Sequence, residues 1–151
     1  MAKLFKKISV LVVAAVMFFG VFAFAGCDDG YGYVYQEGDF VLTVSARATT
    51  LQQGQNIEVT TVFENRSGRR LQIVHGKPMI LTVIGEWYQE IRLEVALHSV
   101  LRRNQTIRIT WQIGSRLPKG EHELMANAEF HFGNFKQVIR IESNIIVLTV
   151  V

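Results

Sequence analysis

IRLEVALHSVLRRNQTIRITWQI, residues 91–113, contains two runs in which apolar side chains occupy every second position. The first run is residues 91–98 and the second is residues 106–113. A period of two predicts β-strands with one buried face, whereas an amphipathic helix would show a period of about 3.6. The stretch therefore predicts two strands bounded by polar turn residues.

The same alternation recurs from residue 40 to residue 150. The further runs are residues 40–48, 57–63, 71–73 and 124–132, and the turns are residues 65–68, 75–78, 118–120 and 133–134. Residues 77–84 are apolar on both faces, which predicts a central strand or a strand that is covered on its second side. In residues 137–150 the apolar phase slips between Ile141 and Ile146, which predicts a β-bulge near Ser143 and Asn144.

Seven or eight short strands at this spacing predict an all-β fold, an antiparallel immunoglobulin-like β-sandwich. The sandwich is expected to fill residues 40–151 as one domain, after a signal segment at residues 1–26 and a flexible acidic tether at residues 27–39. The single cysteine excludes the disulfide of antibody domains. The core therefore depends on the burial of apolar side chains alone.

Residues 1–26 have the three parts of an export signal. Lys3, Lys6 and Lys7 form a basic start, residues 8–24 are almost wholly apolar, and small residues follow. The apolar run is slightly shorter than the roughly 20 residues that a membrane span needs, so a spanning segment is the second alternative. The composition predicts a protein exported from the cytoplasm.

The leader ends in Phe24-Ala25-Gly26-Cys27, which resembles the lipobox of bacterial lipoproteins. The resemblance implies that Cys27 is diacylated on sulfur and becomes the first residue, which would anchor the protein at the outer face of the bacterial cell membrane or in the envelope. Phe24 stands where leucine is commonest in lipoboxes. Ala23-Phe24-Ala25 is also an ordinary cleavage site, whose use would release a soluble secreted protein.

Charge excludes one class of partner. The chain has 16 basic and 13 acidic residues, and residues 1–26 contain three lysines and no acid, so 16 minus 3 leaves 13 of each. Binding to nucleic acid depends on clustered positive charge that neutralises phosphates. A neutral mature chain predicts no nucleic-acid partner.

The tether contains four acids, three glycines and no basic residue. Tyr31, Tyr33 and Tyr35 are spaced by two and would share one face of an extended chain. They either form a stacking surface or an added edge strand, or belong to a flexible spacer that holds the domain away from the bilayer.

No motif for catalysis or for metal binding is present. The sequence lacks G-x-S-x-G, H-E-x-x-H and C-x-x-C, so we predict no catalytic residue, no metal ligand and no cofactor. His75 is expected at the surface beside a turn and His98 on a solvated face, and the odd spacing of His122 and His131 places them on opposite faces of one strand. A catalytic pair of a serine and a histidine that are distant in sequence and adjacent in the fold remains an open alternative.

Two groups of residues are candidates for a contact surface. Arg66, Arg69 and Arg70, with Arg102 and Arg103, either face an anionic polymer or lipid headgroup or form ordinary solvated turns.

Trp87 and Tyr88 form the second group, in an expected loop. They either present exposed rings to a partner protein or are buried at the edge of the sandwich.

Three landmarks suggest a family. Residues 62–68 read VFENRSG, residues 110–111 read TW and residues 117–124 read LPKGEHEL. Together they resemble the BsuPI-like domain of the bacterial intracellular proteinase inhibitor family, an immunoglobulin-like sandwich. The resemblance implies an exported inhibitor as an alternative function, with residues 66–70 or 85–88 as the candidate loop, and no inhibitory residue is carried over.

These patterns favour a lipid-anchored cell-envelope protein with a non-catalytic binding or assembly module. Its expected partners are the membrane, through the anchor, and an envelope or extracellular protein. A binding module predicts contact through end loops and strand edges. An enzyme would instead require a concave pocket in which several titratable groups converge.

Overall fold

The computed structural model describes residues 33–85, 88–89, 93–113, 116–132 and 137–151. Residues 1–32, which hold the predicted leader, Cys27 and the first part of the tether, lie outside the described residues. Within the described ranges every regular element is a strand, and no helix there is long and apolar enough to cross a membrane. The strands are β1 (Phe40–Ala46), β2 (Thr50–Leu51), β3 (Ile57–Asn65), β4 (Leu71–Ile84), β5 (Tyr88–Gln89), β6 (Leu93–Leu101), β7 (Thr106–Ile113), β8 (Gly120–Phe132), β9 (Val138–Glu142) and β10 (Ile146–Val150).

The strands form two sheets that pack face to face. The smaller sheet has the order β1-β3-β7. The larger sheet follows the path β2-β10-β8-β4-β5, with β6 also paired to β4 and β9 also paired to β8. Every pair is antiparallel except β2 with β10. The prediction of an all-β antiparallel sandwich is confirmed.

The strand count differs from the prediction for three reasons. Strands β2 and β5 contain only two residues each, which is too short for a period to be visible in the sequence. Strands β9 and β10 are two halves of the single run predicted at residues 137–150, and both pair with β8. The runs predicted at residues 71–73 and 77–84 are joined in one strand, β4. The remaining strands correspond to single predicted runs.

Alternate side chains of both sheets meet in one core. In β3 the buried positions are Ile57, Val59, Thr61, Phe63 and Asn65, and partly buried residues lie between them. This pattern follows from the pleat of a strand, which sends successive side chains to opposite faces.

A cluster of phenylalanines joins the two sheets at one end of the core. The rings of Phe40 and Phe63 lie 5.9 Å apart in the smaller sheet. Phe130 of the larger sheet meets both edge to face, at 5.1 Å from Phe40 and 6.0 Å from Phe63. Such aromatic pairs add about 1 kcal/mol each beyond the burial of their area.

The turn predicted at residues 75–78 is wrong, because these residues are a bulge inside β4. The register of β4 shifts between His75 and Lys77 against β6, and between His75 and Ile80 against β8. Since β4 has neighbours on both sides, hydrogen bonds before and after the bulge keep the strand in the sheet. Proline lacks an N–H group and is tolerated in strands at bulges, which explains Pro78. The central position predicted for residues 77–84 is confirmed.

The bulge predicted near Ser143 is confirmed, and it connects the sheets. Ser143 N–H donates to the carbonyl of Ala126 at 2.9 Å, and its Oγ accepts from Ala126 N–H at 2.8 Å. The Asn144 side chain crosses to the edge strand β1, where Oδ1 accepts from Val44 N–H at 3.0 Å and Nδ2 donates to Val44 O at 3.1 Å. The amide of Asn144 thus satisfies both backbone groups of one edge residue.

Candidate functional site

Two turns rich in arginine lie side by side at one end of the sandwich. The β3–β4 turn holds Arg66, Arg69 and Arg70, and the β6–β7 turn holds Arg102 and Arg103. All five residues are exposed. We call these five arginines the arginine end. The two turns are distant in sequence, and a joint surface is one of the alternatives that the sequence leaves open.

Asn65, at the end of β3, connects the two turns. Asn65 is only 1% exposed, and its Nδ2 donates to the carbonyls of Arg69 and Arg102, at 2.9 Å each. The Asn65 backbone N–H donates to the carbonyl of Gln105 at 2.9 Å. A buried amide is stabilising when its hydrogen bonds are satisfied, so Asn65 holds the turns at a fixed separation.

Each turn is also stabilised internally. In the β3–β4 turn, Asn65 Oδ1 accepts from the Ser67 N–H at 3.2 Å and from the Ser67 hydroxyl at 2.6 Å. Gly68 has φ of 71°, a conformation that favours glycine. In the β6–β7 turn, Asn104 has φ of 55° and Gln105 Oε1 accepts from Arg102 N–H at 2.7 Å. Asparagine is among the residues that tolerate this region of φ and ψ.

Residues 33–39 of the predicted tether pack at the same end. The ring of Tyr33 meets that of Phe132 edge to face at 5.0 Å, and Tyr35 stacks on Phe40 at 6.1 Å. The carbonyl of Asp39 accepts from Arg66 N–H at 2.7 Å. This part of the tether is therefore attached to the domain, and both described tyrosines contact its core.

Tyr33 also contacts charged groups. Its hydroxyl donates to the Asp39 carboxylate, and the guanidinium carbon of Arg69 lies 5.7 Å from the centre of its ring. Burial, followed by the hydrogen bond to Asp39, raises the pKa of Tyr33 above its usual value. Tyr33 therefore stays neutral and fixes the entry of the chain beside Arg69.

Acidic residues also lie at this end of the sandwich. Arg66 pairs with Glu64, with Nη2 and Oε2 2.6 Å apart, and the Arg66 side chain is 57% exposed. The Asp39 carboxylate accepts from Gln36 N–H at 2.7 Å as well as from Tyr33, so it faces its own segment. The five exposed arginines thus lie beside at least two acidic residues, Glu64 and Asp39.

Of the second predicted contact group, the structure places only the backbone of Tyr88. Trp87 and the side chain of Tyr88 lie outside the described residues. The backbone of Tyr88 pairs with Ile84, the last residue of β4, whereas the arginine end adjoins Leu71, the first residue of β4. The backbone of Tyr88 is thus separated from the arginine end by the length of this strand.

A lateral cleft of about 350 Å³ opens between β7 of the smaller sheet and β4 and β6 of the larger one. Strands β6 and β7 are joined by a short turn but belong to different sheets, and they diverge beyond it. The apolar lining includes Ile73, Met79, Ile80, Leu101, Ile107 and Ile109. The volume is at the lower end of the range for small-molecule sites.

The polar residues in the lining of the lateral cleft are His75, Ser99 and Gln105. His75 Nδ1 lies 2.6 Å from the Gly76 carbonyl and Nε2 lies 2.8 Å from the Ser99 hydroxyl. Because a carbonyl only accepts, Nδ1 is the donor to Gly76, and Nε2 and the Ser99 hydroxyl share the second hydrogen bond. His75 is partly buried and hydrogen-bonded, so the prediction of a plain surface residue is wrong. It is the one titratable side chain in the described lining.

The other histidines follow the sequence-based expectations. His98 is exposed, and His122 and His131 lie on opposite faces of β8. His122 is buried, with Nε2 2.8 Å from the carbonyl of Pro118. Across the described part of the chain, no group of three or more potential metal ligands comes together.

Sequence reasoning missed Asn65 and Ser99, although both leave a trace. Asn65 continues the buried phase of β3 into a turn, and Ser99 stands between Leu97 and Leu101 on the apolar phase of β6. A polar residue at an apolar position of a strand requires a hydrogen-bond partner. That trace marks the residue, but it does not identify the partner.

No protein-family model matches this chain, and no curated protein sequence matches it. Solved structures with similar folds exist. The sporulation control protein Spo0M from Bacillus subtilis superimposes with a TM-score of 0.51 at 8% identity, over 75% of this chain and 49% of that protein. The chain therefore spans about half the length of Spo0M. At this identity the likeness supports the β-sandwich and nothing beyond the fold.

Two other matches are weaker. The C-terminal domain of Wzt has a TM-score of 0.46 at 13% identity, over 79% of this chain and 77% of that domain. A β-glucosidase from Listeria innocua in complex with laminaribiose has a TM-score of 0.42 at 17% identity, over 76% of this chain and 17% of the enzyme. The BsuPI-like resemblance stays a prediction.

Proposed function

We propose that this protein is exported and anchored by a lipid at Cys27, and that its β-sandwich is a non-catalytic binding or assembly module outside the cytoplasm. The main support is the packing of residues 33–39 against the arginine end. It leaves five residues between Cys27 and Tyr33, and the six Cα–Cα steps from Cys27 to Tyr33 can span at most about 20 Å. A lipid on Cys27 would hold the domain close to the membrane surface.

The chemistry of the leader supports the anchor. Cys27 is the single cysteine of the chain and follows two small residues at the end of an apolar run. Acylation would remove a reactive thiol from an oxidising compartment. Two or three acyl chains bind a bilayer stably, because each buried methylene contributes about 0.8 kcal/mol.

The anchor is tested by intact mass and membrane fractionation of the protein expressed in a bacterium, beside Cys27→Ala and the control Gly30→Ala. We expect a diacylglycerol adduct on wild type and on Gly30→Ala, both in the membrane fraction, and no adduct on Cys27→Ala. Unmodified soluble protein that begins at Gly26 would establish the secreted alternative. Retention of residues 1–26 would establish a membrane-spanning segment.

The lateral cleft supports the binding role. Its apolar walls and its His75–Ser99 pair suit a small ligand with an apolar body and one hydrogen-bonding group. The neutral fluorescent probe N-phenylnaphthylamine tests this assignment. Ser99→Phe, which fills the cleft, should abolish the fluorescence gain, whereas His98→Phe on the opposite, exposed face of β6 should leave it unchanged. Equal binding by both variants would refute the assignment.

A second candidate function, inhibition of an extracellular protease, is supported by the β3–β4 turn. Hydrogen bonds from Ser67 to Asn65 and from Arg69 N–H to Ser67 Oγ hold this exposed turn in one conformation, as an inhibitory loop requires. The test is titration of a protease that cleaves after arginine, with Arg69→Ala and Arg70→Ala as variants. Hydrolysis of the turn without inhibition would exclude this function.

A further inference from the structure

We infer that the arginine end contacts the anionic phospholipid headgroups of the membrane that carries the anchor; this inference rests on the proposed lipid at Cys27. The surface consists of Arg66, Arg69, Arg70, Arg102 and Arg103. The anchor would therefore fix the orientation of the sandwich as well as its location.

The chemistry of the surface matches phosphate. A guanidinium group presents donors in a planar fork that binds two phosphate oxygens at once, and it is always charged. Arg70, Arg102 and Arg103 are exposed, and the carbonyls of Arg69 and Arg102 are both held by Asn65. The guanidinium groups therefore start from neighbouring, fixed backbone positions, which reduces the entropy lost on binding.

The position of the surface matches the length of the connecting chain. Phe40, which follows the packed segment, pairs with Asn65, so the chain enters the domain beside the β3–β4 turn. The opposite end of the sandwich lies about 30 Å away, since β3 has nine residues that rise about 3.3 Å each. The six residues after Cys27 span at most about 20 Å, so the opposite end of the sandwich cannot reach the bilayer in place of the arginine end.

The test uses the full lipidated protein in vesicles of phosphatidylcholine alone, or of equal parts phosphatidylcholine and phosphatidylglycerol. Phenylglyoxal modifies exposed arginines, and mass spectrometry measures the rate at each one. We expect Arg70 and Arg103 to react at least about fivefold more slowly in the anionic vesicles. Arg47, beyond the far end of β1, and Arg108, on the outer face of β7, should react equally in both. The inference would be overturned if the ratio of the reaction rates in the two kinds of vesicle were the same for these control arginines as for the two arginines of the arginine end.

Failure of the anchor is distinguished from failure of this surface by a second measurement. If Cys27 is unmodified and the phosphatidylcholine vesicles carry no protein, the proposed anchor fails. The unmodified protein is then floated with the anionic vesicles at low salt, beside the double variant Arg70→Gln/Arg103→Gln and the control Arg47→Gln/Arg108→Gln.

In that flotation we expect a loss of about 25-fold in binding for Arg70→Gln/Arg103→Gln, from about fivefold per arginine, and none for the control. Binding should also disappear at high salt, because the interaction is electrostatic and exposed. Equal flotation of the two double variants, or no flotation of wild type, would overturn the inference.

Discussion

Truncation of Asn65 to alanine is expected to lower the free energy of unfolding by about 3 kcal/mol. The side chain makes four hydrogen bonds, two from Nδ2 to carbonyls and two to Oδ1 from Ser67. At about 1 kcal/mol each, their sum is about 4 kcal/mol. Arg69 and Arg102 are exposed residues, so water can reach their carbonyls after truncation and recovers part of this sum.

The measurement is urea unfolding followed by tryptophan fluorescence, on the Cys27→Ala background so that no lipid intervenes. For a domain of this size we expect the midpoint to fall by about 2 M and the melting temperature by roughly 10 °C. Gln112→Ala, at an exposed position of β7, is the control and should change the free energy by less than about 0.5 kcal/mol.

A loss below about 1 kcal/mol for Asn65→Ala would refute the reasoning. It would mean that water replaces the amide at both carbonyls, so that the two turns are not held by this residue. Hydrogen exchange at the Ser67 amide provides a local check, because that N–H loses its acceptor on truncation. Unchanged protection there would lead to the same conclusion.

Three further changes test other parts of the structure. Asn144→Ala should cost about 1–2 kcal/mol, since two hydrogen bonds to the backbone of β1 are lost, and a urea midpoint equal to wild type would contradict this. The urea midpoints of wild type and Tyr33→Phe should come closer together as the pH rises from about 8 to about 11. The reason is that burial and Asp39 raise the pKa of Tyr33 in the folded protein. The stabilisation by Tyr33 is therefore complete below about pH 10 and declines above it, where only the unfolded chain loses the tyrosine proton. A difference in urea midpoint that stays constant with pH would contradict this prediction. Arg140→Ala should change the free energy of unfolding by less than about 0.5 kcal/mol, because the Arg140 side chain, which pairs with Glu129, is 75% exposed. A larger loss of free energy in urea unfolding would show that the ion pair is stronger.

The sequence predicted those parts of the fold in which one face of a strand is buried along its length. Strands β3, β7 and β8 show an uninterrupted period of two, and the phase slip before Ile146 predicted the bulge at Ser143. The continuity of β4 could not be predicted, because Gly76 and Pro78 are typical turn residues. Only the strands on both sides, which are remote in sequence, hold that bulge in the sheet.

The candidate sites were less predictable, since they depend on contacts between distant segments. Both arginine clusters are visible in the sequence, and a joint surface is one of the alternatives that it leaves open. Their adjacency arises from Asn65, whose bond to Arg102 joins residues 37 positions apart. The same limit applies to His75 and Ser99, which meet only because β4 and β6 pair in a particular register. Composition and period describe single strands, and they carry no information about register between strands.

The pairing of β1 with β3 has a mechanical consequence. A force that pulls residues 33–39 away from the far end of the sandwich is directed along β1, because β1 begins at Phe40, the residue after that segment. The seven register pairs from Phe40↔Asn65 to Ala46↔Val59 then bear the load in shear, all at once. The Asn144 amide bears part of it as well, on the opposite edge of the strand. The domain is therefore built to resist extension through its N-terminal segment along the strand direction.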